Sequence, residues 1–373
     1  MQLLVAQEPA EEESEAMDAS QQTADEVAQR LFGSLLGTVE IMSVYLGDRL
    51  GWYASLASQG PATAPELAAR TDTQPRYARE WLEQQAVIGL LSVQDDGAAD
   101  ARVYAIPPST TEVMTDVSSL AYLAPIGRMF GAVGPALPRL LEAYRSGGGV
   151  SWDELGPDAR ESQADANRPW YESRLGPALS GISTLHDTLS RPAVRLLDVG
   201  SGGGWSSIAL ARAYPDAAVL GIDIDEESVT MATVNARAAG VADRVTFLHQ
   251  DASTLPSGGF DAAFAFECVH DMPRPVDVLS AVRRALAPGA PLVVMDEAVA
   301  EEFAPNGDDL ERMMYGFSLF VCLPDGLSST PSVGTGTVMR PSTLRAYGEA
   351  AGFTDFEVLP IEDFGFWRFY QLS

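Results

Sequence analysis

Residues 195–204 most strongly constrain how this 373-residue chain can fold, because an apolar run there leads directly into a glycine-rich loop. The run at 195–199 is typical of a buried strand, and residues 205–212 predict the helix that follows. Glycine permits positive φ and a close approach of a ligand to the backbone, and the first N–H groups of a helix are unpaired. The stretch therefore predicts a strand–loop–helix unit that binds a ligand.

The spacing of acid and glycines separates two classes of cofactor. The dinucleotide pattern G-x-G-x-x-G/A begins well at Gly200 and Gly202, but Trp205 occupies its third position. What stands here is an acid followed by alternating glycines, Asp198-x-Gly200-x-Gly202-x-Gly204. This pattern resembles motif I of the class I S-adenosylmethionine (SAM) methyltransferases, whose cofactor has no pyrophosphate. A glycine-rich turn without a ligand is the plain alternative.

Acids also end the next two predicted strands. The run at 217–225 ends in Asp223 and Asp225, and Asp223 follows Gly200 by 23 residues. This is near the offset of about 20 residues at which a carboxylate meets a ribose in doubly wound folds. The resemblance implies that Asp223 binds the ribose and that Asp251, after the third strand, contacts the adenine. A capped strand end is the alternative for Asp251, and Asp225 fits the N-cap of a helix.

Strand and helix patterns continue to alternate along the rest of the chain. They predict strands at 260–267, 292–296, 353–361 and 366–372 and helices at 276–287 and 342–351. Such alternation favours a parallel sheet with right-handed crossovers, in which ligands bind outside the carboxyl ends of the strands. The predicted class is therefore α/β, with a Rossmann-like, seven-stranded SAM methyltransferase domain over 190–373.

The residues that the resemblance assigns to the cofactor lie at these strand ends. They are Asp198, Gly200, Ser201, Gly202, Gly204, Asp223, Ile224, Asp251, Ala252 and Glu267. His270 and Glu267 are the candidate catalytic residues, because His270-Asp271 resembles the pair that opens the catalytic segment of plant-type O-methyltransferases, where the histidine is the base. The sequence departs from that pattern at Met272-Pro-Arg-Pro, which resembles methyltransferases whose equivalent histidine is not catalytic. A capping or cofactor-contacting role for His270 therefore stays open.

An insertion over 301–340, before the last predicted helix, is rich in methionine and aromatic residues. Soft and aromatic side chains suit a roomy apolar substrate site, although the same stripe also fits a protein core. From this insertion we take Tyr315, Phe317, Ser318 and Cys322 as candidate substrate contacts.

The N-terminal part predicts a mainly helical winged-helix domain over 23–115. A helical pattern over 24–56, with a break near Gly47, precedes two short helices joined by a turn and then a β-hairpin around Asp95-Asp-Gly97. Residues 1–22 are acidic and predict a disordered tail. Residues 116–189 predict a helical linker that caps the pocket, with plain interdomain packing as the alternative.

The layout as a whole is similar to microbial proteins labelled SAM-dependent methyltransferase or transcriptional regulator, and to the winged-helix O-methyltransferases. The resemblance implies a homodimer formed through the N-terminal domain, which also covers the substrate. A DNA-binding regulator that senses SAM or a small ligand is the alternative. However, residues 60–106 hold four arginines and seven acids, a net charge of −3, and DNA binders depend on a basic patch that neutralises phosphates. DNA is therefore not the expected partner.

Composition excludes several other classes. The net charge of −28 disfavours polyanionic partners, and the absence of a long apolar run predicts no membrane span. Two cysteines and no signal-peptide pattern predict a reducing cytoplasm. The three histidines, His186, His249 and His270, are too scattered to predict a metal site. The resemblance thus implies methyl transfer from SAM to a small, largely apolar acceptor at oxygen; a SAM-binding enzyme of altered chemistry is a third possibility.

Overall fold

The computed structural model describes residues 22–95 and 97–373, so the predicted acidic tail lies outside the described residues except for Gln22. The chain divides into two compact units. One comprises the described residues up to Gly134 together with Glu161–Ala166, and the other comprises Pro135–Arg160 and Asn167–Ser373. The segment predicted as a linker, 116–189, is shared between these two units.

The first unit contains the predicted helix–turn–helix and hairpin. Its elements are α1 (Ala24–Arg49), α2 (Trp52–Gln59), α3 (Ala64–Thr71), α4 (Pro75–Val87), β1 (Ser92–Asp95), β2 (Val103–Ala105) and α5 (Pro108–Thr115). Thr63 and Glu66 form a capping box that fixes the start of α3. The strands β1 and β2 pair antiparallel, with Ser92 opposite Ala105.

The first helical pattern breaks later than the sequence predicts. The helix α1 continues through Gly47 to Arg49, and the chain turns at Gly51, whose φ is +68°. Gly47 is needed for packing, because a Cβ atom there would lie 2.4 Å from the ring of Trp81. The predicted break near Gly47 is therefore wrong: this glycine lets a tryptophan of α4 approach the helix.

Helices also fill the segment that follows. They are α6 (Pro125–Ser146), α7 (Trp152–Leu155), α8 (Pro157–Trp170), α9 (Gly176–Ser180) and α10 (Ser183–Leu189). A π-helical turn at Tyr171–Leu175 joins α8 to α9.

The second unit is built on the predicted seven-stranded sheet. Its elements after α10 are β3 (Arg195–Val199), α11 (Trp205–Ala213), β4 (Ala218–Asp223), α12 (Glu226–Ala238), β5 (Val245–His249), β6 (Ala262–Phe266), α13 (Pro275–Ala285), β7 (Leu292–Glu297), α14 (Asp309–Phe317), α15 (Leu323–Leu327), α16 (Pro341–Ala351), β8 (Phe356–Val358) and β9 (Trp367–Leu372). The strand order is β5-β4-β3-β6-β7-β9-β8. Strands β3 to β7 are parallel, and β9 is antiparallel to both of its neighbours, β7 and β8.

This topology explains where a ligand can bind. The order reverses between β3 and β6, and such switch points create a crevice at the carboxyl ends of the strands. The central strands β6 and β7 are buried along their whole length, as the continuous apolar runs predict. Polar side chains at their carboxyl ends are therefore positioned by a rigid, dry sheet.

Candidate active site

The glycine loop joins β3 to α11 at this switch point. Gly200, Gly202 and Gly204 all have positive φ. A Cβ atom on Gly204 would lie 2.6 Å from the ring of Phe247, whereas one on Gly202 would meet no atom within 4 Å. The loop is thus tightly packed at its end and open at its middle, so a ligand can approach the backbone at Gly202.

Asp198 lies at the end of β3 with one carboxylate oxygen paired and the other not. Its Oδ2 accepts hydrogen bonds from the hydroxyls of Ser206 (2.6 Å) and Ser207 (2.5 Å). Its Oδ1 and the Oγ of Ser201 are buried and have no hydrogen-bond partner in the part of the chain that the structure describes. Burial raises the pKa of Asp198 to about 6. Since buried polar atoms are normally paired, these two atoms indicate where polar groups of a ligand would bind.

Asp223 ends β4 and connects its loop to the glycine loop. Its Oδ2 accepts a hydrogen bond from the backbone N–H of Gly202 at 2.8 Å, and its Oδ1 accepts one from the N–H of Asp225 at 2.9 Å. Burial raises the pKa of Asp223. The side chain of Ile224 is 67% exposed, and Asp225 caps α12 as predicted. The structure therefore brings the predicted ribose acid to the edge of the glycine loop.

Asp251 follows β5 and is half exposed. Its Oδ1 accepts a hydrogen bond from the N–H of Ser253 at 2.8 Å, and its Oδ2 accepts one from Arg274 at 3.3 Å. Ala252 begins the short 3₁₀ turn that Asp251 caps. The capping role weighed from the sequence is thus present, and a role of Asp251 toward adenine is a separate proposal.

His270 is buried in a turn after β6, among carboxylates. Its Nδ1 lies 2.8 Å from Asp296 Oδ1 and 3.4 Å from Glu297 Oε2, and its Nε2 lies 3.3 Å from Asp271 Oδ1. Burial disfavours the charged imidazole, but the carboxylates of Asp296, Glu297 and Asp271 outweigh it and hold the pKa of His270 well above its usual value. Sequence reasoning missed Asp296 and Glu297 as site residues, although they end β7 just as Asp223 ends β4.

Glu267 adopts a strained backbone at the end of β6, with a φ of +50°. Its carboxylate accepts hydrogen bonds from the side-chain amide of Asn167 and the indole N–H of Trp367. Burial raises the pKa of Glu267 to about 7. Asn167 and Trp367 were also not identified as site residues from the sequence. Each is 100 residues from Glu267, in α8 and β9, and no local motif marks them.

Two of the four candidate substrate residues lie against the His270 turn. The Sγ of Cys322 falls within 4.8 Å of ligand atoms of both His270 and Asp271. The Oγ of Ser318 lies beside Gly336, whose N–H donates to the carbonyl of His270 at 3.1 Å. Ser318 and Cys322 begin and end a π-helical turn, a distortion that is frequent at functional sites.

The other two candidates point elsewhere along the same helix. Tyr315 is 39% exposed, and its hydroxyl accepts a hydrogen bond from Arg340 at 3.4 Å. Phe317 is half buried at the end of α14. The structure thus brings Cys322 to the histidine, and it brings Ser318 to the glycine that bonds to the histidine's carbonyl. Neither contact is shown for Tyr315 or Phe317.

Groups with metal-ligating atoms do occur around one histidine, although the three histidines themselves are scattered. His270 forms one such group with Asp296 and Glu297 and another with Asp271 and Cys322. In each group the ligand atoms lie within 4.8 Å of one another.

Two protein families match the two modules of the chain. Residues 190–326 match a family described as a methyltransferase domain, and residues 37–116 match the Rv2258c-like winged HTH domain. The 27-O-demethylrifamycin SV methyltransferase of Amycolatopsis mediterranei is 37% identical over 143 residues, which is 38% of this chain and 50% of that protein. Norajmaline N-methyltransferase of Rauvolfia serpentina is 29% identical over 132 residues, 35% of this chain and 44% of that protein. The chain spans about half the length of the curated relatives it matches.

Solved structures share the fold over nearly the whole chain. Mitomycin 7-O-methyltransferase MmcR has a TM-score of 0.69 at 21% identity, covering 94% of this chain and 98% of its own. Human N-acetylserotonin methyltransferase, solved with SAM, has a TM-score of 0.67 at 18% identity, covering 96% and 99%. The chain therefore carries a methyltransferase domain behind an N-terminal winged helix-turn-helix domain, and the resemblance to SAM-dependent methyltransferases of this layout is confirmed.

Proposed function

We propose that the protein is a SAM-dependent methyltransferase. The observation that carries the proposal is the pair of unpartnered buried atoms, Asp198 Oδ1 and Ser201 Oγ, in the same strand–loop segment as the open backbone of Gly202. The methionine part of SAM carries an ammonium group and a carboxylate. These groups suit a buried carboxylate oxygen and a hydroxyl, respectively, whereas a second negative charge from a diphosphate would face Asp198 unfavourably.

The neighbouring strand ends suit the rest of that cofactor. Each oxygen of Asp223 accepts one backbone N–H, and a carboxylate oxygen can accept two hydrogen bonds, so both can also accept from the ribose hydroxyls. The exposed side chain of Ile224 offers an apolar surface for adenine. We assign Asp251 and Ala252 to the adenine and Glu267 to the methionine amine or the acceptor.

Methyl transfer from a sulfonium is an in-line displacement in which the carbon–sulfur bond breaks as the bond to the acceptor forms. For a hydroxyl acceptor the proton must leave, and we assign it to His270, whose Nδ1 is held by Asp296 at 2.8 Å. Such a carboxylate fixes the ring, and we assign the base role to Nε2, which also lies 3.3 Å from Asp271 Oδ1. Cys322, Ser318, Phe317 and Tyr315 are our proposed contacts for a small, largely apolar acceptor.

We also propose that the protein is a homodimer formed through α1. Large apolar side chains on this helix are 40–60% exposed: Leu31, Phe32, Leu35, Leu36, Val39, Met42 and Leu46. Their spacing follows the helical period, so they form a continuous apolar stripe, and a second copy of the same helix would cover it. Replacing Phe32 and Leu35 by Glu should convert the dimer to a monomer in light scattering. A monomeric wild-type chain would contradict the assignment.

DNA binding is less well supported, because the four arginines of residues 60–106 already have partners. Arg76, Arg79 and Arg102 form ion pairs with Glu80, Asp100 and Glu83, at 2.5 to 3.2 Å. Arg70 donates to the carbonyls of Gly60 and Pro61. No helix among the described residues is long and apolar enough to cross a membrane. Cytoplasmic location remains part of the proposal and is supported by two unpaired cysteines.

The direct test of the proposed function is methyl transfer from isotope-labelled SAM into a metabolite extract. We expect a methylated small molecule that appears with the wild-type chain, and that forms more slowly with Asp223→Ala when SAM is below saturation. A chain that binds SAM yet labels nothing would support the reading of altered chemistry. A stable complex with DNA at moderate salt would favour the regulator.

A further inference from the structure

Arg160, near the start of α8, is a buried arginine that no sequence motif marks. Its side chain is 9% exposed, and that of its partner Asp225 is 11% exposed. The Arg160 Nε donates to Asp225 Oδ2 at 2.6 Å, and Nη2 donates to Asp225 Oδ1 at 2.8 Å and to Asp153 Oδ1 at 3.1 Å. Two parallel bonds between a guanidinium and a carboxylate form the most directional ion pair available to proteins.

Asp225, which Arg160 holds in place, is hydrogen-bonded to the proposed cofactor site. Its Oδ2 accepts from the N–H of Ser228 at the start of α12, and its own N–H donates to Asp223 Oδ1 at 2.9 Å. Asp223 Oδ2 in turn accepts from the N–H of Gly202. A continuous series of hydrogen bonds therefore runs from Arg160 to the glycine loop.

Arg160 also compensates negative charge beside the proposed cofactor site. Asp223 and Asp225 are two residues apart, both are largely buried, and each carboxylate disfavours the charge on the other. Arg160 is the cation that pairs with Asp225. Without it, an uncompensated Asp225 carboxylate would move toward solvent, and the N–H that orients Asp223 would move with it.

We propose that Arg160 is a positioning residue for the cofactor, holding Asp225 so that Asp223 faces the ribose of SAM. The inference rests on the proposed function, because it assumes that Asp223 binds that ribose. If so, a residue of α8, which precedes the sheet, contributes to cofactor affinity. The sequences of the glycine loop and the strand ends do not indicate this contribution.

The first test is the calorimetric dissociation constant for SAM of Arg160→Met. We expect affinity to fall by about tenfold or more, as for other broken buried ion pairs. The KM for SAM should rise equally, with kcat at saturating SAM within about twofold of wild type. The matched control is Arg212→Met, which breaks a pair with Glu172 at 2.7 Å whose arginine is 45% exposed, and it should leave affinity unchanged. Unchanged affinity in Arg160→Met would overturn the inference.

A second test asks whether Arg160 acts through Asp223. In an Asp223→Ala background, Arg160→Met should weaken SAM binding much less than it does in the wild type, because the group being positioned is gone. A full additional loss would show that Arg160 acts by another route.

Two further variants cover the case in which Arg160→Met fails to fold. Arg160→Lys keeps the charge but cannot form the paired bonds, so it should bind SAM more weakly than wild type. Arg160→Met with Asp225→Asn removes both charges, and it should fold and also bind SAM more weakly. Wild-type affinity in either variant contradicts the inference, whereas a wild-type chain that does not bind SAM would instead refute the proposed function.

Discussion

The two halves of the candidate site are built by different means. The cofactor half, at the ends of β3 and β4, is held by groups close by in the sequence or on the neighbouring strand. The backbone N–H groups of Gly202 and Asp225 donate to Asp223, and serine hydroxyls at the start of α11 donate to Asp198. The acceptor half, at the ends of β6 and β7, is held by side chains. His270 lies among carboxylates, and Glu267 bonds to residues 100 positions away.

This difference decides what sequence can predict. Local contacts follow from strand–loop–helix geometry, so the glycine spacing and the acid 23 residues later predict a meeting of Asp223 with the glycine loop, and Asp223 does bond to Gly202. The roles of Asp198 and Asp223 toward a cofactor stay predictions. The seven-stranded sheet and the winged-helix elements were predicted for the same reason, since each depends on a local pattern.

Side-chain networks between distant segments leave no such pattern. Asn167 and Trp367 look like ordinary helix and strand residues until the fold places both against Glu267. Asp296 and Glu297 could have been found, because they end a predicted strand. Arg160 could not, since an arginine in an acidic helix most often forms a surface pair. Gly47 was misread because a glycine that admits a tryptophan resembles one that ends a helix.

The largest expected effect is on kcat, and it should arise in the acceptor half alone. His270→Ala should lower kcat by about 10²- to 10⁴-fold, the usual contribution of a general base, while the dissociation constant for SAM stays the same. Because nearby carboxylates hold the pKa of His270 high, wild-type kcat should rise with pH as the imidazole loses its proton. A matched variant, Asp296→Asn, should lose activity and shift that rise to lower pH. If His270→Ala retains full kcat, the base is misassigned.

We expect Asp198→Asn to be more stable than the wild type at neutral pH, because the ionised Asp198 carboxylate destabilises the fold. Burial raises the pKa of Asp198 from 3.8 to about 6, so the folded chain holds this proton more tightly than the unfolded chain. Ionised Asp198 therefore destabilises the fold, by about 3 kcal/mol once the pH exceeds both values. Relative to wild type, Asp198→Asn should gain thermal stability progressively as pH rises from 4 to 6 and keep that gain at pH 8.

The same variant should bind SAM more weakly, because an amide replaces the carboxylate proposed to meet the ammonium. Thermal unfolding with and without SAM measures both effects. A variant that is less stable than wild type at pH 8 would show that the charged carboxylate is compensated in the free chain.

A smaller effect is expected at the ribose acid. Asp223→Ala should weaken SAM binding by about 1–3 kcal/mol, the range for losing charge-assisted hydrogen bonds, and should leave the acceptor KM nearly unchanged. Calorimetry and initial rates measure the two quantities. Equal losses for SAM and acceptor would mean that the cofactor half and the acceptor half do not act separately.

The central claim is that the glycine loop and the strand-end acids bind SAM rather than a dinucleotide. Calorimetric titration of the full chain with SAM, and separately with NAD, tests it most directly. We expect saturable binding of SAM that is weakened in Asp223→Ala, and no binding of NAD. Saturable binding of NAD, or no heat from SAM at high micromolar concentration, would contradict it.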